Sequence, residues 1–148
     1  MKTALSNQLR LCNQLYKRMD DIYYRTARRL DMSEAELWIM YILREHDELL
    51  TQSDICGITY ESKQTVNSAL KKMEINGFIE LIKNEDNMKK KFIHLTEKGL
   101  ELAEKTADKI LAAEENSIRA MGRDEMETLL RLYEKYIDIL DKEMNDIE

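Results

Sequence analysis

Thr51-Gln52-Ser53-Asp54-Ile55-Cys56 opens the stretch that decides the fold, and Ser62-Lys63-Gln64-Thr65-Val66-Asn67-Ser68-Ala69-Leu70-Lys71-Lys72-Met73 follows it. The chain then passes Asn76-Gly77-Phe78 and two short apolar runs before Leu95-Thr96-Glu97-Lys98-Gly99. Thr51 and Asp54 form a capping box with Asp in place of Glu, opening a short helix expected to end near Gly57. Ile58-Thr59-Tyr60-Glu61 reads as a turn. Ser62 caps the next helix, and Gly77 ends it from the position just past a helix terminus. Phe78-Ile79-Glu80-Leu81-Ile82-Lys83 and Lys91-Phe92-Ile93-His94-Leu95 alternate as strands, with Ile79, Leu81, Ile93 and Leu95 expected to face the core. Two short helices, a hairpin and the start of a longer helix make a winged helix-turn-helix, a shape suited to lying against a nucleic-acid duplex.

The helix capped by Ser62 has two distinct faces. Val66, Ala69, Leu70 and Met73 share one, while Lys63, Gln64, Asn67, Ser68 and Lys71 share the other, with Thr65 in the first turn. The outward set holds no aliphatic residue and no acid. Lysine can meet phosphate, and Gln and Asn carry the donor–acceptor pair that reads adenine in the major groove. An ordinary polar helix face is the competing reading. Between the strands, Asn84-Glu85-Asp86-Asn87-Met88-Lys89-Lys90 is polar and leads into three consecutive lysines, Lys89 to Lys91. Such a hairpin tip can reach a minor groove or the backbone, or it is simply a solvated loop.

Outward from this module the chain is almost entirely helix signal. Residues 4–30 repeat apolar residues at threes and fours, through Leu5, Leu9, Cys12, Leu15, Tyr16, Met19, Ile22, Tyr23 and Leu30. Ser33 and Glu36 form a capping box before the apolar run Leu37 to Leu43. Periodicity alone leaves that run open between strand and helix, and the cap with the Arg44-Glu45-His46 close favours a helix. Thr96 caps another helix that reads on to about Met121, Gly122 breaks it, and residues 124–147 resume the pattern. The fold class is mostly α with a minor β component. Residues 33–99 form a winged helix-turn-helix lobe of one chain spanning 1–148. Segments 1–30 and 100–148 carry more apolar stripe than one small core needs and read as a dimerisation layer, a monomeric bundle being the alternative.

Composition agrees. The 148 residues contain no proline, four glycines, 43% hydrophobic and 35% charged residues, which favours long solvated helices with short connections. The net charge of −6 is unevenly spread: Ser62 to His94 holds seven lysines against four acids, so the module is +3 and the remainder −9. A basic module on an acidic body would turn its basic side toward phosphate. Two cysteines are too few for a disulfide framework, no apolar run approaches the ~18 residues that span a bilayer, and the start does not resemble a signal peptide. The expected location is the cytoplasm, without a membrane partner.

On these residues the chain resembles the MarR family of winged-helix transcription regulators. Ser62 through Met73, Asn76-Gly77-Phe78 and Leu95-Thr96-Glu97-Lys98-Gly99 carry the likeness. The resemblance implies a bacterial homodimer on a pseudo-palindromic operator, with the Ser62 helix in the major groove and the wing, including Asn87, Lys89 and Lys90, at the minor groove. It also implies repression relieved by a small aromatic or amphipathic effector, in a pocket that would involve Tyr23, Trp38 and Tyr41. The family's wing commonly carries Asp-x-Arg where this chain has Asn87 and Lys89. That departure implies a looser, more phosphate-driven wing contact.

Other classes fare less well. Cys12, near Tyr16 and Tyr23, would serve a redox-sensing regulator, although a packed, inert cysteine is favoured, and Cys56 reads as core. His46 and His94 are too isolated for a metal site, and no metal or cofactor is expected. No glycine-rich phosphate loop, His-Glu-x-x-His, nucleophile elbow or paired cysteines suggest an enzyme. A dimeric helical interaction protein with weak or no DNA binding remains the further alternative.

Overall fold

The computed structural model describes residues 3–83 and 90–147. In chain order it contains α1 (Ala4–Arg29), α2 (Glu34–Glu45), β1 (Leu50–Thr51), α3 (Gln52–Thr59), α4 (Lys63–Ile75), β2 (Ile79–Lys83), β3 (Lys91–Leu95), α5 (Glu97–Lys105), α6 (Ala107–Met121) and α7 (Arg123–Asn145). The protein is thus mostly helical with a small antiparallel sheet, and the chain divides into two units, one up to Lys109 and one from Ile110 onward. No helix among the described residues is long and apolar enough to cross a membrane.

In the first unit, side chains at three- and four-residue spacing set how each helix starts. Ser33 caps α2 and Glu36 closes the reciprocal box, Thr51 and Asp54 do the same for α3, and Ser62 and Thr96 cap α4 and α5. Ile39, Met40 and Ile42 of α2 therefore turn inward as a helix rather than a strand. They pack with Ile55 of α3 and with Val66, Ala69, Leu70 and Met73 of α4. Leu95, Ile79 and Ile93 close this core from the sheet, and Ala103 from α5.

The hairpin pairs Ile79 with Leu95 and Leu81 with Ile93, so the expected inward residues share one face, while Glu80 opposite His94 lies on the other. The sheet has a third strand that the sequence reading lacks. Leu50 pairs with Ile93 and Thr51 with Phe92, placing β3 in the centre of the order β1-β3-β2. Two residues are too few to show alternation, so only the long-range pairing reveals β1.

Two helix boundaries differ from expectation. Gly57 does not end α3, which continues to Thr59; the chain turns at Tyr60, whose φ of 57° is left-handed. A Cβ at Gly57 would meet nothing, so its helical position does not require glycine. The helix expected from Thr96 to Met121 is broken at Thr106 into α5 and α6. Thr106 is buried, its hydroxyl donates to the Leu102 carbonyl, and its backbone leaves the helical region at φ −127° and ψ −87°. No Gly or Pro marks this break. Just beyond it, Asp108 receives a forked pair of bonds from Arg44 Nε and Nη2 at 2.7 and 2.8 Å, tying α2 to the residues that follow the break. That bond, with burial opposing it, raises the Arg44 pKa further above its ordinary value.

Candidate nucleic-acid interface

Helix α4 is held from both ends and from beneath. At its start the Ser62 hydroxyl accepts from the Thr65 N–H, and the Gln52 side chain donates to the Lys63 carbonyl. At its end Gly77 takes φ 72°, and the N–H groups of Gly77 and Phe78 return to the carbonyls of Glu74 and Met73, a paired closure that few residues but glycine permit. Two of the motifs singled out in the sequence meet here. The Thr96 hydroxyl donates to the Gly77 carbonyl, Lys98 Nζ donates to the Asn76 carbonyl and lies 4.9 Å from the Phe78 ring centre, and Gly99 packs against the Phe78 backbone. A Cβ on Gly99 would come within 1.9 Å of the Phe78 carbonyl oxygen, so this glycine is required by close approach. The wing is thereby pinned to the end of α4.

The buried face of α4 is Val66, Ala69, Leu70 and Met73, as its spacing predicts. On the opposite side Lys63, Gln64, Ser68 and Lys71 are exposed and Asn67 is half-buried, with Thr65 exposed in the first turn. Among the described residues no hydrogen bond or ion pair occupies the side chains of Lys63, Gln64, Asn67, Ser68 or Lys71. Five adjacent polar groups therefore stand free on a helix that is held at both ends and packed from beneath. Lys90 is exposed just before β3, whereas Asn87 and Lys89 lie outside the described residues.

The aromatic residues expected to line a pocket do cluster. Tyr23 of α1 and Trp38 of α2 have ring centres 4.9 Å apart, and Tyr41 meets Trp38 edge-on at 5.4 Å. A concavity of about 420 Å³ opens on this cluster, lined by Asp20, Asp21, Tyr23, Tyr24, Glu34 and Trp38. Tyr41 is not in the lining; it packs against the core instead. Asp20, Asp21, Tyr24 and Glu34 are the lining residues that sequence reasoning missed, because charged residues on helix faces carry no mark of what they face. Arg25 bonds Asp21 at 2.8 Å, and the Arg28 guanidinium lies 5.8 Å from the Tyr24 ring centre. Trp38 and Glu34 also border a recess of about 100 Å³ reaching Thr59 at the end of α3, Glu61 in the turn and Thr65 in the first turn of α4.

Cys56 is partly buried against the core as expected, but Cys12 is exposed on α1 rather than packed. On α1 only Ala27 is buried, and large apolar side chains from Leu5 to Ile22 stand in solvent. Among the described residues, no group of three or more His, Cys, Asp or Glu is placed to hold a metal ion.

A family model described as MarR family matches residues 30–87, from the end of α1 through α4 into the wing. No curated protein sequence matches the chain. Among solved structures, the S. aureus MepR–DNA complex is 20% identical with a TM-score of 0.68, covering 94% of this chain and 99% of that one. A MarR protein from Peptoclostridium difficile is 18% identical with a TM-score of 0.69, covering 100% and 96%. The transcriptional regulator SlyA is 18% identical with a TM-score of 0.68, covering 99% and 100%. At such identities the likeness speaks for the fold. Residues 30–87 match the MarR family model, and the chain shares the fold of solved MarR-type regulators.

Proposed function

We propose that this chain is a transcription regulator of the MarR family that works in the cytoplasm as a homodimer, represses transcription by binding a pseudo-palindromic operator, and is released by a small effector. The observation that carries the reading is the unoccupied polar face of α4 on a capped helix whose other face is buried in the core. In this reading Gln64 and Asn67 address base edges in the major groove, and Ser62, Lys63, Thr65, Ser68 and Lys71 engage phosphates or flanking edges. Lys90, with Asn87 and Lys89, would reach the neighbouring backbone or minor groove. A neighbour of the same fold, MepR of S. aureus, has been solved as a DNA complex, which supports the reading by analogy.

The dimer is supported by α7, none of whose residues is buried although Leu129, Leu130, Tyr133, Ile137, Leu140 and Met144 form one stripe. Apolar side chains are worth ~1.5–3 kcal/mol each when fully buried, so such a stripe favours association with a second copy. Two half-sites about one helical turn apart would then be read together.

For the effector, the lining of the concavity favours a cationic or neutral aromatic molecule over an aromatic acid. An anion would face Asp20, Asp21 and Glu34, whereas a flat cation could stack on Tyr23 and Trp38. Because Trp38 is the single tryptophan, its fluorescence reports occupancy directly. Titration with a planar organic cation should quench it at lower concentration than titration with an aromatic carboxylate of similar size.

The operator reading is tested by enriching duplexes from a random pool on the purified protein and measuring anisotropy of the winner beside a scrambled sequence over a salt series. Preferential, steeply salt-dependent binding is expected. Failure to enrich any duplex would leave a dimeric helical interaction protein. A redox-sensing variant of the function gains from the exposure of Cys12. In that case oxidant would weaken DNA binding by the parent and not by Cys12→Ser.

A further inference from the structure

Glu36 is the only charged side chain buried among the described residues, at 6% exposure. Taking a carboxylate out of water is costly unless it is paired and hydrogen-bonded. Part of the compensation is local: Glu36 is the third residue of α2, accepting from the Ser33 N–H and hydroxyl near the positive end of the helix. The remainder comes from far along the chain. Lys72 Nζ of α4 donates to Glu36 Oε2 at 2.9 Å. Burial alone would raise the carboxyl, but the Ser33 bonds and the Lys72 charge hold it below its ordinary range.

The pair is placed to control rotation. Successive residues of a helix advance by about 100°, which puts Lys72 on the flank of α4, between its buried face and the face of Lys63, Gln64, Asn67 and Lys71. Among the described residues it makes the only ion pair between α4 and another element. Apolar packing beneath α4 is non-directional and holds depth better than azimuth, whereas an ammonium bound to a buried carboxylate fixes direction. With the Lys72 side chain 62% exposed, the pair adds little to stability, so its consequence is geometric.

We infer that Glu36 and Lys72 are positioning residues for sequence recognition. Their ion pair sets the rotation of α4 about its own axis, and hence which base edges Gln64 and Asn67 can reach. Lys72 stands beside Lys71 in the sequence, yet it works through α2 and does not touch phosphate. The inference rests on α4 being the helix that reads DNA.

The test compares the parent with Glu36→Gln, Lys72→Met and the double variant, each titrated with the pool-enriched duplex and its scrambled counterpart across a salt series. Gln keeps the α2 cap, and Met keeps the aliphatic stem of Lys72. Each single variant should lose about ten-fold affinity for the enriched duplex and almost none for the scrambled one. The salt slope should stay at the parent's value, and the double variant should lose no more than either single. Lys72→Arg, which can re-form the pair, should restore the preference. The inference is overturned if Lys72→Met weakens both duplexes alike with a slope lower by about one, as loss of a phosphate contact requires. It is also overturned if Glu36→Gln binds like the parent or if the two losses add. Should Glu36→Gln lose its helical circular dichroism, the slope and preference of Lys72→Met, at an exposed position, decide alone. A parent that prefers no duplex would sink the DNA-binding reading instead, which keeps the two failures apart.

Discussion

Helices α4 and α7 both display one whole face to solvent, and they do so for opposite reasons. α4 buries Val66, Ala69, Leu70 and Met73, is capped at both ends and is tied to α2 through Lys72, while its free face is polar. α7 buries nothing, its N-cap Gly122 makes no side-chain cap bond, and its free stripe is apolar. A helix already fixed within its own chain can afford a polar face that waits for a ligand. A helix with an exposed apolar stripe has its main contact still to make. Under the proposed function, the difference separates the part of the molecule that would read DNA from the part that would pair.

The strongest way to break this comparison is to place a charge in the α7 stripe. Ile137→Lys should convert a dimer into a monomer by light scattering and lower affinity for a two-half-site duplex ~100-fold or more, since the second half-site then no longer binds intramolecularly. An unchanged mass would show that α7 is not a pairing surface. Next, Met73→Ala opens a cavity beneath α4, where Met73 is 1% exposed. It should cost ~3 kcal/mol of stability in the first unit, read by denaturant titration. The same substitution at Met144 of α7, 56% exposed, should leave the unfolding of that unit almost unmoved when measured well below the dimerisation range.

On the polar face of α4 the expected effects are smaller and of two kinds. Gln64→Ala should cost ~1–3 kcal/mol on the enriched duplex and relax its preference at one base pair. Lys63→Ala should weaken all duplexes alike and reduce the salt slope by about one. Equal behaviour of the two would mean that α4 holds DNA without reading it.

The smallest expected effect is in pH. Bonds from the Thr51 hydroxyl and N–H hold Asp54 below its ordinary value, and the Ser33 bonds and Lys72 prevail over burial to do the same for Glu36. Carboxyls depressed on folding contribute stability above their unfolded pKa and lose it as pH falls through the folded one. Stability of the first unit should therefore be level from neutrality to about pH 5 and decline below it. Glu36→Gln should make that decline shallower, as thermal melts between pH 3 and 6 (a range set by ordinary carboxylate pKa values) would show.

How much of this was legible beforehand follows the range of the interactions. Capping boxes at Ser33 and Thr51, the caps at Ser62 and Thr96, the turn at Gly77, the core face of α4 and the inward residues of the hairpin all depend on side chains within a few positions of each other. They can be read from order alone, because backbone geometry converts spacing into direction. The free face of α4 was legible as the complement of that core face. Other features join residues distant in sequence: β1 on β3, Lys72 on Glu36, Arg44 on Asp108, and the carboxylates around Trp38. A lysine on a helix flank or a threonine between two helices looks the same in the sequence whether or not it meets a partner. Only the packed chain decided that Lys72 turns toward a buried acid, that Thr106 bends a helix with no glycine in it, and that Tyr41 leaves the concavity to the core. These choices belong to tertiary structure, because they depend on which surfaces the core brings within bonding distance.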